Sequence, residues 1–379
     1  MGGANYFARM HVMKIVADKD IPHVDHFFAQ ETQIIYLPGR QITNDSLKEA
    51  DGLLVRSITK VDETLLKNTQ VKWVGSLTSG IDHLDTTWLD ANNIAWRACP
   101  GFNAPPVADY VVSCIARLIN KGYFTERKRA AVIGCGHVGA LIVERLKTLD
   151  FDVITTDPLR ASEPNFEHVP LQDIHDVDLT CVHTPLTKLV EHATYHMINA
   201  EFMSKQKQNC VLLNAARGAV IDTTALLTHG KHLIFCTDVF EDEPNINIDV
   251  LQQAFIATPH IAGHTQESKY RGVKELYEWT VKNGWLPVNK VRQLLEPHII
   301  SIPKSCEMWQ HIVQHVFNIE KLSADMHATL GQTNTIGATF DQIRKHYGNR
   351  HEFSNTKLMG IEHVSQDDKA ILRQFGLSC

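Results

Sequence analysis

The chain has 379 residues, 44% hydrophobic and 21% charged, an ordinary globular composition with room for two or three domains. Its 37 basic and 43 acidic side chains leave a net charge of −6, and no run of like charge forms a tail, which excludes the basic footprint of a nucleic-acid binder. The longest apolar stretches are strand-sized and broken by Gly or polar residues, so no membrane span is expected, and the amino terminus lacks the apolar core of a secretion signal.

Residues 1–12 read as a loose extension ahead of a first strand, MKIVAD (13–18). TQIIYL (32–37), GLLVRS (52–57), VKWVGSL (71–77) and IAWRACPG (94–101) read as further short strands, separated by helical or loop segments. That alternation predicts parallel pairing in a layered β/α fold. PPVADYVVSCIARLIN (105–120) opens on prolines and carries an apolar face, so it is expected to be a helix. A second strand set follows: RAAVIGCG (129–136), DVITTD (152–157), DLTCVH (178–183), NCVLLNAA (209–216), LIFCTDVF (233–240) and AFIATPH (254–260). All six are apolar in the manner of strands buried on both faces. Helical patterns at 139–150 and 223–231 lie between them, the second with Asp222 as its expected cap. This is the pattern of a doubly wound nucleotide-binding sheet. QESKYRGVKELYEWTVKNGW (266–285) reads as a long amphipathic helix, polar enough to cross from one domain to another. Beyond 290 the strands weaken and the helices become more polar, which marks a third unit suited to an interface.

The eight cysteines are scattered and no CxxC occurs, so a reducing cytoplasm is expected rather than a disulfide framework. Among the 21 histidines, pairs such as His23 and His26 lack carboxylate or cysteine company. They read as surface residues, and no metal site is expected.

GCGHVG (134–139) fits GxGxxG. It follows an apolar strand, opens a helix and precedes Asp157 at the end of the next strand, the context of a dinucleotide site. Gly134 allows a tight turn, Gly136 lets the backbone approach a pyrophosphate, and Gly139 lets helix and strand pack closely. The amides of His137 and Val138 lie at the positive end of that helix. Asp157 would accept hydrogen bonds from both ribose hydroxyls and repel a 2′-phosphate, which favours NAD over NADP, although Arg160 stands close by. The plainer alternative is a helix cap and a surface aspartate.

In VLLNAARGAVID (211–222) a buried strand runs straight into Arg217, ringed by the small residues Ala215, Ala216, Gly218 and Ala219. A guanidinium so exposed can take a carboxylate in a two-pronged grip; the alternative is pairing with a core acid. The next strand ends in CTDVFEDEPN (236–245) with Asp238, Glu241, Asp242 and Glu243, and the one after in ATPHIAGHT (257–265) with His260. An anion clamp, an imidazole base and a carboxylate to orient it, set beside a dinucleotide site, are what hydride transfer from an alcohol requires.

These strings, with HTPLT (183–187), TSGIDHLD (78–85) and PGFNAPPVADYV (100–111), resemble the D-isomer-specific 2-hydroxyacid dehydrogenases in order and spacing, from about Met13 to Trp285. The resemblance implies Arg217 as carboxylate clamp, Glu243 as orienter and His260 as acid–base. It implies Asp238 at the nicotinamide amide, with Thr184, Ala215 and Ala216 lining the cofactor. LPGRQI (37–42), VRSITKVDETLL (55–66) and a tail containing RKHYGNRHEFSN are similar to one branch of that family. That branch acts on a phosphorylated four-carbon acid in vitamin B6 cofactor synthesis and dimerises through its tail.

The branch resemblance implies that Ser57 and Thr78 contact substrate and Gly263 the cofactor. It places a substrate contact at His264, where tyrosine is frequent, and replaces a usual glutamate by Asp109. The domains it implies are a discontinuous flavodoxin-like substrate domain (13–105 and 266–289), an NAD-binding Rossmann domain (106–265) and a C-terminal α+β dimerisation domain (290–379). Closure is expected about hinges near 100–110 and 265–285. Arg40 and Arg56 at strand ends of the first domain suit a phosphate dianion, or else serve as surface ion-pair partners. Basic residues of the tail, such as Arg344 or Arg350, could reach a partner subunit's cleft. Two rival readings stay open: an enzyme of the same class acting on an unphosphorylated acid, and a non-catalytic NAD-sensing protein.

Overall fold

The structure, a computed structural model, describes residues 12–30, 32–124, 128–188, 190–288 and 294–379. The extension expected at the amino terminus lies, apart from Val12, outside the described residues. The chain forms two compact units, one of residues up to Phe102 with Lys269–Leu294, the other of Asn103–Ser268 with Leu295–Cys379.

In the first unit β1 (Met13–Asp18), β2 (Thr32–Leu37), β3 (Gly52–Val55), β4 (Trp73–Ser76) and β5 (Ala95–Arg97) form one parallel sheet in the order β2-β1-β3-β4-β5. This is the flavodoxin-like strand order, and ligands in such sheets sit at the carboxyl ends of the strands. Alternate side chains feed two cores. Ile15, Ala17, Leu54 and Trp73 pack with Val273, Leu276 and Tyr277, while Val16, Leu53, Val55 and Val74 pack with Leu65, Leu66 and Leu89. Val273, Leu276 and Tyr277 stand at i, i+3 and i+4 of helix Gln266–Lys282, the stripe that makes it dock. Each such burial contributes about 1.5–3 kcal/mol. That helix starts in one unit and continues in the other, as its polar sequence suggested. His23 and His26 are half-buried against the Tyr270 ring instead of lying on the open surface.

In the second unit β6 (Lys128–Ile133), β7 (Phe151–Thr156), β8 (Leu179–Val182), β9 (Val211–Asn214), β10 (Ile234–Thr237) and β11 (Ile256–Ala257) pair in parallel in the order β11-β10-β9-β8-β6-β7. The chain leaves β6 for β7 on one side, then crosses to β8 on the other. The topological switch therefore falls between the ends of β6 and β8. Five of these strands are buried or nearly so, but β7 is an edge strand with Asp152 exposed, which departs from the full burial its sequence implied. Helix Ala104–Asn120, helix His137–Thr148 and the Asp222 cap, whose carboxylate accepts from Ala225 N, fall where expected.

Residues 295–379 belong to this second unit. Trp309, Ile312, Val313, Phe353 and Phe375 share one core with Tyr110, Val111 and Ile115 of helix Ala104–Asn120. Asp109 pins the tail by accepting Phe353 N at 2.9 Å; burial pushes its carboxyl up to about 7 against the pull of Arg145 and Arg350. The tail's β12 (His298–Ser301) and β13 (Thr356–Met359) form a separate parallel pair. All eight cysteines are free and six are buried, packing as small apolar groups. Among the described residues no helix is long and apolar enough to cross a membrane.

Candidate active site

The carboxyl ends of the second sheet bring the sequence candidates together in strand order. At the end of β6, Gly134 has φ +86, a left-handed backbone that favours glycine. A Cβ there would also strike Thr184 Cγ2 at 2.7 Å and His183 O at 2.8 Å, both at the end of β8. At Gly139 a Cβ would lie 1.9 Å from Gly134 O, so the helix could not come this close to the strand with any side chain. Gly136 faces open space, and with His137 it is exposed at the start of helix His137–Thr148, while Val138 is half-buried. The amide ends of that helix are thus presented at the switch point, where a pyrophosphate is stabilised.

Two orphaned polar groups sit on the other side of this cradle. Thr184 Oγ1 and both ring nitrogens of His183 are buried with no partner among the described residues. Burial holds the His183 imidazole down at about 3, so the ring is neutral. A dinucleotide laid across the β6–β8 crevice would give Thr184 the partner it lacks, so the residues fit NAD.

Asp157 follows β7. Its Oδ2 accepts Cys135 N at 2.9 Å, tying it to the glycine loop and leaving Oδ1 for a ribose hydroxyl. Arg160, the one sequence feature that pointed to NADP, bonds Glu163 through Nε and Nη2, bonds Cys135 O through Nη1, and covers the Phe166 ring. Asp157→Ala raises the ratio of NADP to NAD activity by roughly tenfold, the equivalent of ~1.4 kcal/mol of like-charge repulsion. Steady-state rates with the two cofactors read this directly, and an unchanged ratio places the selectivity elsewhere.

The four carboxylates after β10 divide by environment. Glu243 Oε2 pairs with His260 Nδ1 at 2.6 Å, and its Oε1 accepts Phe240 N at 2.8 Å. Burial pushes the Glu243 carboxyl up, but the charge and hydrogen bond of His260, the Phe240 amide and the charge of Arg344 outweigh it and leave it below the usual range. Glu241 instead bonds His196 at 2.9 Å and Thr223 at 2.7 Å, bracing neighbouring loops. Asp242 occupies a turn with φ +61.

Asp238 is 1% exposed, and its oxygens accept Thr258 Oγ1, Ile261 N and Ala262 N. It therefore holds the loop that carries His260. Three of its about four acceptor sites are taken, which leaves one for a carboxamide. Burial raises its carboxyl, opposed by His260 and those donors.

His260 itself sits at φ +56, with its amide bonded to Asp238 O at 2.7 Å. Arg217 lies at the end of β9, half-buried, with Nη1 donating to Ala216 O at 2.8 Å. Ala215 is half-buried and Ala216 buried beside it. Gly218 backs onto Phe240, where a Cβ would lie 1.9 Å from the carbonyl carbon. That close approach docks the Arg217 turn on the segment leading to Glu243. Gly263 packs on Asn103, whose Oδ1 is buried without a partner among the described residues.

The chain is 40% identical over 353 residues to the erythronate-4-phosphate dehydrogenase of Coxiella burnetii, covering 92% of this chain and 95% of that one. It is 34% identical over 359 residues to the enzyme of that name from Cellvibrio japonicus, covering 90% and 94%. The chain belongs to the erythronate-4-phosphate dehydrogenase family. Residues 116–262 match the model of the D-isomer specific 2-hydroxyacid dehydrogenase NAD binding domain. Solved structures agree on the fold. A D-lactate dehydrogenase from Aquifex aeolicus complexed with NAD and lactic acid has a TM-score of 0.59 at 24% identity, over 72% of this chain and 96% of that one. An NAD-bound 3-phosphoglycerate dehydrogenase from Entamoeba histolytica has a TM-score of 0.61 at 24% identity, over 74% and 99%.

Within this family frame, the candidates in the first unit fare differently. Ser57 is exposed just past β3, and Thr78, just past β4, shares a hydrogen-bond chain with Ser76 and His83. Arg40 is exposed after β2. Arg56 departs from the phosphate role: its Nε and Nη2 grip Asp18 at 2.8 and 3.1 Å, and Nη2 also reaches Asp20 at 2.8 Å. Asp18 is fully buried, so Arg56 is the counter-charge that its burial needs.

Arg350 is corrected too. Its guanidinium donates to Pro106 O and Ala262 O and stacks on Phe317, inside its own chain rather than toward a partner. Arg344 likewise turns to its own chain, donating from Nη2 to His264 Nε2 at 3.4 Å. The sequence offered Arg344 as one basic residue among several and held no local signal of this contact.

Proposed function

We propose that this chain oxidises the 2-hydroxyl of 4-phospho-D-erythronate to (R)-3-hydroxy-2-oxo-4-phosphooxybutanoate with NAD, a step toward pyridoxal 5′-phosphate. The observation that carries the reading is the Glu243–His260 pair at the strand end beside Arg217, in a chain 40% identical to a namesake of that activity.

NAD, held by Gly134–Gly139, Asp157, Thr184 and Gly263, supplies the hydride acceptor. Because Nδ1 of His260 is engaged by Glu243, Nε2 is the atom that takes the hydroxyl proton as the C2 hydride leaves. The ionised Glu243 then stabilises the imidazolium and fixes its orientation. Arg217 grips the C1 carboxylate and so aligns C2. Ser57, Thr78 and Arg40 are assigned to the rest of the substrate.

A homodimer joined through the tail is part of this reading. Exposed Ile299, Met308 and Met359 give that segment apolar surface to bury. A cytoplasmic location accords with the eight free thiols. NADH formation is to be measured with 4-phospho-D-erythronate, D-erythronate, D-glycerate, D-lactate and 3-phospho-D-glycerate. Turnover of the first above all others is expected. Preference for an unphosphorylated acid, or no turnover with any, overturns the assignment.

A further inference from the structure

The loop that carries His260 is held at both ends. Asp238 grips its start: the carboxylate accepts Ile261 N and Ala262 N at 2.8 Å each, and the Asp238 carbonyl accepts His260 N at 2.7 Å. The far end is held by the tail. Thr265 and Arg350 form a parallel β-bridge, Gln266 N donates to Arg350 O at 3.1 Å, and Thr265 Oγ1 donates to Glu352 Oε1 at 3.0 Å.

The Arg350 guanidinium reaches the middle of that loop. Its Nη2 donates to Ala262 O and, at 2.6 Å, to Pro106 O in the first turn of helix Ala104–Asn120. Ala262, two positions after His260, is thus fixed on its amide by Asp238 and on its carbonyl by Arg350. The Phe317 ring covers the guanidinium, with Cζ 4.5 Å from its centroid. Nε and Nη1 are buried with no hydrogen-bond partner among the described residues. A buried cation with unmade bonds is costly, and surrounding carboxylates offset that cost. Burial lowers the pKa of Arg350, and Asp109, Glu352, Asp238 and Glu267 oppose the shift. Asp109 also has Arg145 at 3.5 Å, and Glu267 has His351 at 2.7 Å. Asp238 faces His260, which must be neutral to act as a base, and Arg350, which keeps its charge throughout. Tyr110 and Cys114 face it too, and burial keeps both protonated.

We propose that Arg350 is a positioning residue for the proton transfer: from the tail of the same chain it holds the 260–265 loop, and so the His260 ring, in place. This rests on the reading of His260 as the acid–base. The tail then serves the reaction of its own chain as well as packing against it.

The plainer role for Arg350 is to anchor the tail, and the two roles separate by experiment. Arg350→Met, Arg350→Lys and the tail-core variant Leu372→Ala are compared with wild type as full chains. Leu372 is fully buried in the core that seats the tail and touches none of the loop's hydrogen bonds.

Arg350→Met lowers kcat on the order of 10–100-fold, with KM for 4-phospho-D-erythronate within about threefold of wild type. Amide exchange over residues 258–265, read by mass spectrometry, speeds up about tenfold. The acidic limb of kcat/KM moves to higher pH. Burial already raises the Asp238 carboxyl, loss of the facing cation raises it further, and the loop loosens as pH falls through that point. Arg350→Lys keeps the charge and one donor, so the limb returns and part of kcat is recovered. Leu372→Ala lowers Tm but moves neither the limb nor the exchange. An unmoved limb or unchanged exchange in Arg350→Met, or an equal displacement of both in Leu372→Ala, overturns the proposal. If Arg350→Met does not fold, Arg350→Lys decides: faster exchange over 258–265 upholds the role and unchanged exchange ends it. A wild type without hydride transfer fails the functional reading, and the exchange comparison still decides the role of Arg350.

Discussion

His260→Ala lowers kcat by about 10²–10⁴-fold, or 3–5 kcal/mol of barrier, while the variant still binds NAD. The size follows from the role proposed for the side chain. Hydride departure from C2 builds positive charge at carbon unless the hydroxyl proton leaves in concert, and water is a poor base for that proton. His260 is placed for the transfer by three fixed points: Nδ1 on Glu243 at 2.6 Å, its amide on Asp238 O at 2.7 Å, and a left-handed backbone at φ +56. A non-glycine residue in that region costs of order 1 kcal/mol, a strain the surrounding hydrogen bonds must hold. The substitution removes the imidazole and leaves the nucleotide cradle at β6, β7 and β8 intact. NADH production measured at saturating NAD and substrate checks it. A rate within tenfold of wild type means that another group takes the proton.

Strand positions and the chemistry at strand ends were readable because both follow from local pattern. Apolar runs between turn signals located all six strands of the nucleotide sheet, and GCGHVG with Asp157 located its switch point. Carboxylates were harder. Glu241 and Glu243 differ by two residues, yet one serves His196 and Thr223 and the other serves His260, a difference set by partners 17 to 45 positions away. Arg56 looked like an anion ligand because its buried partner, Asp18, lies 38 residues upstream. The tail looked separate because its helices are polar on average. Their apolar stripes, through Ile312, Phe340 and Leu372, are spaced for burial, but their partners belong to distant segments such as helix Ala104–Asn120.

Arg217→Lys lowers kcat/KM by roughly 10–100-fold, the loss of one charge-assisted hydrogen bond worth about 1.5–3 kcal/mol. The position of the residue does not change with the substitution. Its turn is fixed by Asn214, whose Nδ2 donates to Arg217 O at 3.0 Å and whose Oδ1 accepts Ala216 N at 3.0 Å. Gly218 packs on Phe240 with no space for a side chain, so the turn cannot drift from the segment bearing Glu243. Lysine keeps the charge and the stem but offers one ammonium where the guanidinium offers a planar fork, and only the fork fixes the rotation of a carboxylate about its C1–C2 bond. That rotation decides whether the C2 hydrogen faces the cofactor and the hydroxyl faces His260 Nε2. The deficit should therefore fall on kcat as well as KM. Kinetics with 4-phospho-D-erythronate decides it: an unchanged kcat/KM means the carboxylate is held by charge alone, and the two-pronged grip is wrong.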